Sequence, residues 1–380
     1  MKPNNNPKII ILTTVHQYSD PRIFFKEIPS IKKKYPNLVY ITKHEKRKAF
    51  VENGIAIDPL PIPNSRFERF FKLQYLSYIK IKKHKPDIIH FHDPELIILM
   101  WFVKKRFKCK IIFDIHESIA DSFHRREWTP NILKPILPWL YNIVESFFIK
   151  NFDVKIIVLE YFKKLYGPEA KVIMNYPLRS SNQNIKKEFN HKINFVYVGV
   201  IMKERGFPKI LQIFQTLAKK YNNIHLNLIG KIDTKDLEEE ITDFIRNSNL
   251  NNCITLHGVL QIKDVYDILE KSHIGFSLLE PNDSFFNALA TKIFDYMANG
   301  VPYIVSNFSI YQKYTNDNYT GVTVDYNNDA EIVEKIENLL NNRTQLVKMS
   351  KNGIKNVHEM WNWENEAKKL LTVYDNLLDN

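Results

Sequence analysis

The 380-residue chain is 44% apolar and 25% charged, which excludes a disordered or fibrous protein, and its length exceeds what one hydrophobic core serves, so two domains are expected. The formal net charge of +12 is uneven: residues 1–178 hold 31 Lys and Arg against 17 Asp and Glu, whereas the remainder holds 23 against 25. A basic half beside a near-neutral half points to an anionic partner for the first half, with nucleic acid, anionic lipid and a phosphorylated acceptor as candidates. Two distant cysteines, Cys109 and Cys253, exclude a disulfide framework or a cysteine zinc site and suit a reducing cytoplasm. The polar start, Met1 to Pro7, argues against a secretory signal. The most apolar run, Leu96 to Val103, is too short to span a bilayer, so a cytoplasmic protein, free or peripheral on the inner face of the membrane, is expected.

In chain order, Lys8 to Thr13 is a continuous apolar run, as in a strand buried on both faces. A helix over 22–34 and a strand at Leu38 to Ile41 follow, and Pro59, Pro61 and Pro63 predict a loop over 55–66. Helical periodicity at 66–84, 95–106 and 132–150 alternates with short strands at Ile88 to Phe91, Lys110 to Phe113 and Ile156 to Leu159. The apolar side chains of 132–150 have two uses open to them, contact with an anionic membrane surface and core packing, and are assigned first to the core. A polar stretch, Arg179 to Lys192, reads as a linker. Strands are then expected at Phe195 to Val198, His225 to Ile229, Ile254 to Leu256, Ile274 to Leu278, Tyr303 to Val305 and Gly321 to Val324. Helices separate them, and helices over 329–341, 343–356 and 362–378 close the chain. Alternating strands and helices mean βαβ units, so the fold class is α/β with two doubly wound halves and ligands at strand carboxyl ends.

Several motifs are missing. The first strand runs into Thr13-Thr14-Val15-His16 rather than GxGxxG, and neither GxxxxGK[ST] nor GxSxG occurs. No Asp-x-Asp pair is present, which disfavours a sugar transferase built on a divalent metal.

Five clusters carry possible chemistry. Asp20-Pro21-Arg22 stands at a helix entrance, where capping alone explains Asp20 and Pro21. His90 and His92 lie two apart on one strand face before Asp93. With His116 they are metal-ligand types, but no further spacing supports zinc. Asp114, His116 and Glu117 end another strand, where a histidine can bond a substrate hydroxyl or carry a proton. Gly199 begins a turn holding Lys203 and Arg205 ahead of a helix starting near Gly206, an electrostatic setting for a diphosphate. In Asn287-Ala-Leu-Ala-Thr-Lys292-Ile-Phe-Asp295, apolar Phe285, Leu289, Ile293 and Met297 make one buried stripe. Asn287, Lys292 and Asp295 sit off that stripe near a helix start, Gly300 suits the helix C-cap, and Pro302 blocks continuation.

These motifs, in this order and over nearly the whole chain, resemble the GT-B-fold glycosyltransferases, specifically the retaining family 4 group. Residues 361–364 (WNWE) before an amphipathic helix add to the likeness. The resemblance implies two Rossmann-like domains facing a cleft: residues 1–178, with 362–380 crossing back to them, bind the acceptor, and 190–361 bind a nucleoside-diphosphate sugar. It implies that Arg205 holds the donor diphosphate. Val200 replaces the arginine that often follows the first glycine in the family, so charge neutralisation rests on Arg205, Lys203 or Lys292. The paired-glutamate motif maps to Asn287 and Asp295, a departure in both residues, with Asp295 on the ribose hydroxyls and Asn287 facing the sugar. Gly199, Gly230, Val259, Ala288 and Leu289 border the donor, and His116 approaches the sugar. Asp20, Arg22, His92, Asp93 and Glu117 fall on the acceptor side. His116, Arg205, Lys292 and Asn287 are the expected catalytic residues.

No cofactor or metal is expected, since fixed cations can stabilise the leaving phosphate. The partners implied are a nucleoside-diphosphate sugar and a hydroxyl acceptor, such as a lipid-linked glycan at an anionic membrane surface, in cell-surface polysaccharide or glycolipid assembly. Two rivals use the same donor site: a nucleotide-sugar epimerase and a non-catalytic binding subunit. Nucleic-acid binding has only charge in its favour.

Overall fold

In the computed structural model, residues 6–117, 136–179, 187, 192–282 and 285–379 are described. They form two compact units: Met1–Asn175 with Trp363–Asn380, and Tyr176–Asn362. The chain therefore leaves the first unit once and returns to it.

The first unit is built on an eight-stranded sheet of order β3-β4-β2-β1-β5-β6-β7-β8. Its strands are β1 (Ile9–Leu12), β2 (Leu38–Lys43), β3 (Phe50–Glu52), β4 (Ile55–Leu60), β5 (Ile88–Phe91), β6 (Lys110–Ile115), β7 (Val154–Ile157) and β8 (Lys171–Val172). All pairings are parallel except β3 with β4. β1 and β5 are buried along their whole length because helices cover both faces of the sheet. One face is covered by helices Gln74–His84, Ile97–Phe107 and Ile136–Ile149, the other by helix Ile28–Lys34 and the terminal helix Trp363–Asp379. Trp363, 1% exposed, donates from its indole to Lys26 O (3.1 Å) and lies 2.9 Å from Ser30 Oγ.

Three expectations need correction here. The segment 55–66 is not all loop, since Ile55–Leu60 is a strand despite Pro59. β3 pairs only with Ile55–Ile57, so Pro59 lies beyond its reach and no ladder bond loses its donor. Asn53 and Gly54, both at positive φ (49° and 73°), make the hairpin turn between β3 and β4. Helix Ile136–Ile149 does not bury its apolar face: Ile136, Trp139, Leu140, Ile143, Val144 and Phe147 are 43–64% exposed. Residues 132–135 of the expected helix fall outside the described residues.

The second unit holds a six-stranded, all-parallel sheet of order β11-β10-β9-β12-β13-β14. Its strands are β9 (Ile193–Val198), β10 (Ile224–Ile229), β11 (Ile254–Gly258), β12 (Ile274–Ser277), β13 (Tyr303–Ser306) and β14 (Gly321–Val324). The chain steps outward from β9 to β11, then restarts at β12 on the other side. β9 and β12 therefore flank a topological switch point, where open α/β sheets bind ligands. In the first unit β1 and β5 stand in the same relation.

Candidate functional site

In the second unit, β9 and β12 stay paired only as far as Val196–Gly275. Beyond that the buried Tyr296 hydroxyl spans the gap, accepting from Val198 N–H (3.1 Å) and donating to Phe276 O (3.0 Å). Gly275 makes this possible, since a Cβ there would stand 2.6 Å from the Tyr296 ring. The loops over these strand ends are backbone-tight: Gly199 N–H donates to Ile229 O (2.9 Å) and Gly230 N–H to Gly258 O (2.8 Å). At Gly230 a Cβ would lie 2.0 Å from Gly199 O, so only glycine fits.

Two cations converge on Gly199. A Cβ built there would meet Lys292 Nζ at 3.4 Å and Arg205 Nη1 at 3.8 Å. Lys292 is 9% exposed, its ammonium lies 3.5 Å from the Tyr197 ring centroid, and Nζ has no hydrogen-bond partner. Burial, and then the neighbouring Arg205, hold its pKa well below the usual lysine range. Arg205 bonds the Tyr197 hydroxyl. Among the described residues no carboxylate pairs with either cation. An unpaired buried cation is costly, so burial favours the neutral amine at Lys292. Lys203 does not join them: it is exposed and paired with Glu240 at 3.0 Å.

The helix carrying Lys292 is shorter than the periodicity predicts, Lys292–Ala298, with residues 285–291 in turns and irregular chain. Phe285, Ile293 and Met297 are buried, but half-buried Leu289 is not on a helix. The cause is Tyr311, whose buried hydroxyl donates to Ala288 O (3.0 Å) and accepts from Ala290 N–H (3.1 Å), pinning this segment in a non-helical path. Gly300, at φ +63°, closes the helix with Gly300 N–H to Met297 O (3.0 Å) and Val301 N–H to Tyr296 O (2.8 Å). Asn287 is exposed in the turn, and Asp295, half-buried, bonds the Tyr266 hydroxyl. Val259 lies exposed just beyond Gly258.

The first unit's switch point is built differently. Asp93, fully buried, accepts from Thr13 Oγ1 (2.7 Å), Thr14 N–H and Val15 N–H (3.1 Å), and lies 2.8 Å from His16 Nδ1. It therefore shapes the loop after β1 and is not free to meet an acceptor. Burial opposes charging of His16, but the bond to Asp93 and nearby carboxylates outweigh it and raise its pKa. Arg22, 3% exposed, sits 2.6 Å from Glu27, 2.9 Å from Asp114 and 3.0 Å from Ile173 O. This removes Arg22 from any surface; its pairings are structural. Asp20 Oδ1 accepts from Arg22 N–H (2.9 Å) and Ile23 N–H (3.0 Å), which is helix capping.

His90 and His92 stack at 4.7 Å, both buried, and burial lowers the pKa of each, His92 strongly. His92 Nδ1 lies 3.2 Å from His116 Nε2. His116 is partly exposed beside His16, the ring centroids 4.8 Å apart, and Glu117 is exposed after it. His16 and His116 are thus the reachable pair, and His16 was not singled out from the sequence.

Glu27, His90, His92 and Asp114 place four ligand atoms within 4.8 Å of one another, so among the described residues this cluster has the donor types of a divalent metal site. Arg22 already touches both carboxylates, and burial raises the Glu27 pKa well above the ordinary value. The guanidinium brings positive charge to both carboxylates, while Glu27 Oε2, His90 Nε2, His92 Nε2 and Asp114 Oδ1 are buried without a hydrogen-bond partner.

Two family models match: Glycosyltransferase Family 4 over residues 32–169, and Glycosyl transferases group 1 over residues 179–356. An uncharacterized glycosyltransferase of Methanocaldococcus jannaschii is 22% identical over 315 residues, covering 82% of this chain and 74% of that protein. The capsular polysaccharide biosynthesis glycosyltransferase CapM of Staphylococcus aureus is 26% identical over 214 residues, covering 52% of this chain and 51% of CapM. Among solved structures, Anabaena HepE in complex with UDP and glucose superposes with a TM-score of 0.70 at 11% identity, over 97% of this chain and 100% of HepE. With two doubly wound parallel-sheet units and matching models across both, the chain belongs to the group 1, family 4 glycosyltransferases of GT-B fold.

Proposed function

We propose that the enzyme transfers a sugar from a nucleoside diphosphate to a hydroxyl acceptor, without metal and with retention at the anomeric carbon. The second unit holds the donor and the first selects the acceptor. The observation that carries this reading is the Lys292–Arg205 pair beside Gly199: two close cations without a carboxylate, one of them buried. A diphosphate there restores the charge of Lys292, and both cations stabilise the negative charge that grows on the leaving phosphate. Asp295, paired with Tyr266, takes the ribose hydroxyls. Asn287 and the Tyr311-pinned 288–290 segment face the sugar. His116 with His16 handles the acceptor hydroxyl. Asn287 offers an amide where a nucleophile would need a carboxylate, so attack on the same face as the departing phosphate fits the residues present. The likeness to CapM and to a UDP complex of HepE supports a UDP-sugar and a polysaccharide acceptor.

The test is a thermal-shift series of the protein against UDP, GDP, ADP, CMP and TDP, with and without EDTA. One nucleoside diphosphate is expected to raise the melting temperature equally in both conditions and to lose its effect in Lys292→Ala. A shift that needs metal would refute the metal-independent site, and no shift with any nucleotide would refute the donor site itself.

A further inference from the structure

The three helices on one face of the first unit's sheet lie side by side. Tyr78 and Phe102 join the first two (5.9 Å), and Trp101 and Phe148 join the second to the third (5.4 Å). Their inner sides fill the core under β1, β5 and β6. Their outer sides are unusual. Among the described residues, 13 of the 26 exposed large apolar side chains fall in segments 66–85, 97–108 and 136–150. Phe67, Phe71, Trp139, Ile143 and Phe147 are 48–71% exposed. The same three segments hold twelve Lys and Arg against two Asp and Glu. Of the two acids, Glu145 is buried and Glu68 is paired with Lys72 at 3.1 Å. Carboxylates outside the segments pair with Arg69 (Glu95, 3.0 Å), Lys80 (Asp58) and Lys104 (Asp153, 2.5 Å), so the outer surface is apolar with a net cationic surplus.

The topology arranges these charges. Helices returning between parallel strands all run the same way, so their C-terminal ends share one edge. There Lys82, Lys83, Lys104, Lys105, Arg106 and Lys150 gather. The apolar side chains run along the helix backs from the opposite edge, beginning at Phe67. Such a patch resists pairing with a second copy, because a two-fold contact would set its cationic edge against itself. Its helix backs present ridges of aromatic side chains, which suits a fluid surface better than a fixed groove.

We propose that this face is a membrane-docking surface that lies on anionic lipid, the aromatic and aliphatic side chains entering the headgroup boundary while the lysine edge meets the negative charge. The inference rests on the transferase reading only for its purpose, which is to bring the enzyme to a lipid-borne acceptor. Lipid binding itself is independent of the donor site.

The test is co-sedimentation of the full chain with phosphatidylcholine vesicles and with phosphatidylcholine–phosphatidylglycerol vesicles, at low and high salt. Binding is expected to the anionic vesicles alone and to weaken with salt. Lys105→Gln/Arg106→Gln is expected to weaken it roughly thirtyfold, and Trp139→Asp/Phe147→Asp to abolish it. Both variants change exposed residues and should keep the nucleotide-induced thermal shift, so losing that shift alone refutes the donor site and not this surface. The proposal falls if the wild type stays in the supernatant, if neutral vesicles bind it equally, or if both variants bind as the wild type does. It also falls if light scattering shows a dimer that Trp139→Asp/Phe147→Asp dissociates, since a second copy would then be the occupant.

Discussion

The chain carries two switch points of the same topology with opposite electrostatics. Between β1 and β5, one guanidinium is closed by two carboxylates, and histidines, a third carboxylate and two threonines fill the rest. Between β9 and β12, two cations stand together with an aromatic ring beneath one of them and no carboxylate. The first answers its cation with carboxylates inside the fold and leaves His16 and His116 part-exposed at its rim. The second leaves the Lys292 amine buried with no carboxylate beside it among the described residues. Burial of charge alone does not mark a binding site; burial of charge without a counter-charge does.

The sharpest way to break this contrast is to remove one cation from each site. Arg22→Ala leaves Glu27 and Asp114 buried without their partner, and unfolding by denaturant should show a loss of about 3–5 kcal/mol. Lys292→Met should leave the unliganded protein as stable or slightly more so, while titration calorimetry shows nucleoside-diphosphate affinity down by roughly a hundredfold. If both variants destabilise alike, the two sites are not different in kind. A third variant separates a neutralised buried carboxyl from an unneutralised one within the first unit. Glu145, buried beside Tyr141, is pushed up to about 7 from an ordinary 4.5. With the folded pKa raised, the stability it contributes is intact at low pH and is lost as pH climbs through about 7. Glu145→Gln should therefore stabilise by roughly 1–3 kcal/mol at pH 8 and by nothing measurable at pH 4, read from melting curves. The smallest effect belongs to Asp20→Ala, about 1 kcal/mol from a lost cap, with transfer activity unchanged once folded.

Much of this was legible in the sequence, for physical reasons. Strands buried on both faces are near-continuous apolar runs, so β1 and β13 stand out at once. Lys292, Arg205 and Gly199 followed from charge placed at a strand end before a helix. What escaped was set by contacts distant in sequence. Tyr311 unwinds residues 285–291, and no local pattern there announces it. β4 was hidden by its proline, although Asn53-Gly54 signals the hairpin beside it. Arg22 is expected on the acceptor side, but Glu27 and Asp114, distant or hidden in the sequence pattern, close on it. The amphipathic helix 136–149 was read as core because periodicity shows that an apolar face exists, not what covers it.

The terminal helix Trp363–Asp379 has a consequence for synthesis. It supplies Trp363, Leu370 and Tyr374 to the core of the first unit, and Glu366 accepts from Met174 N–H at 2.8 Å. A ribosome makes most of the first unit's residues early, yet that unit cannot close its hydrophobic layer until the last helix emerges. The second unit, whose residues form one uninterrupted span, can complete itself first. Order of manufacture and order of maturation are thus reversed, and the basic, apolar half of the molecule is the one that waits longest for its final shape.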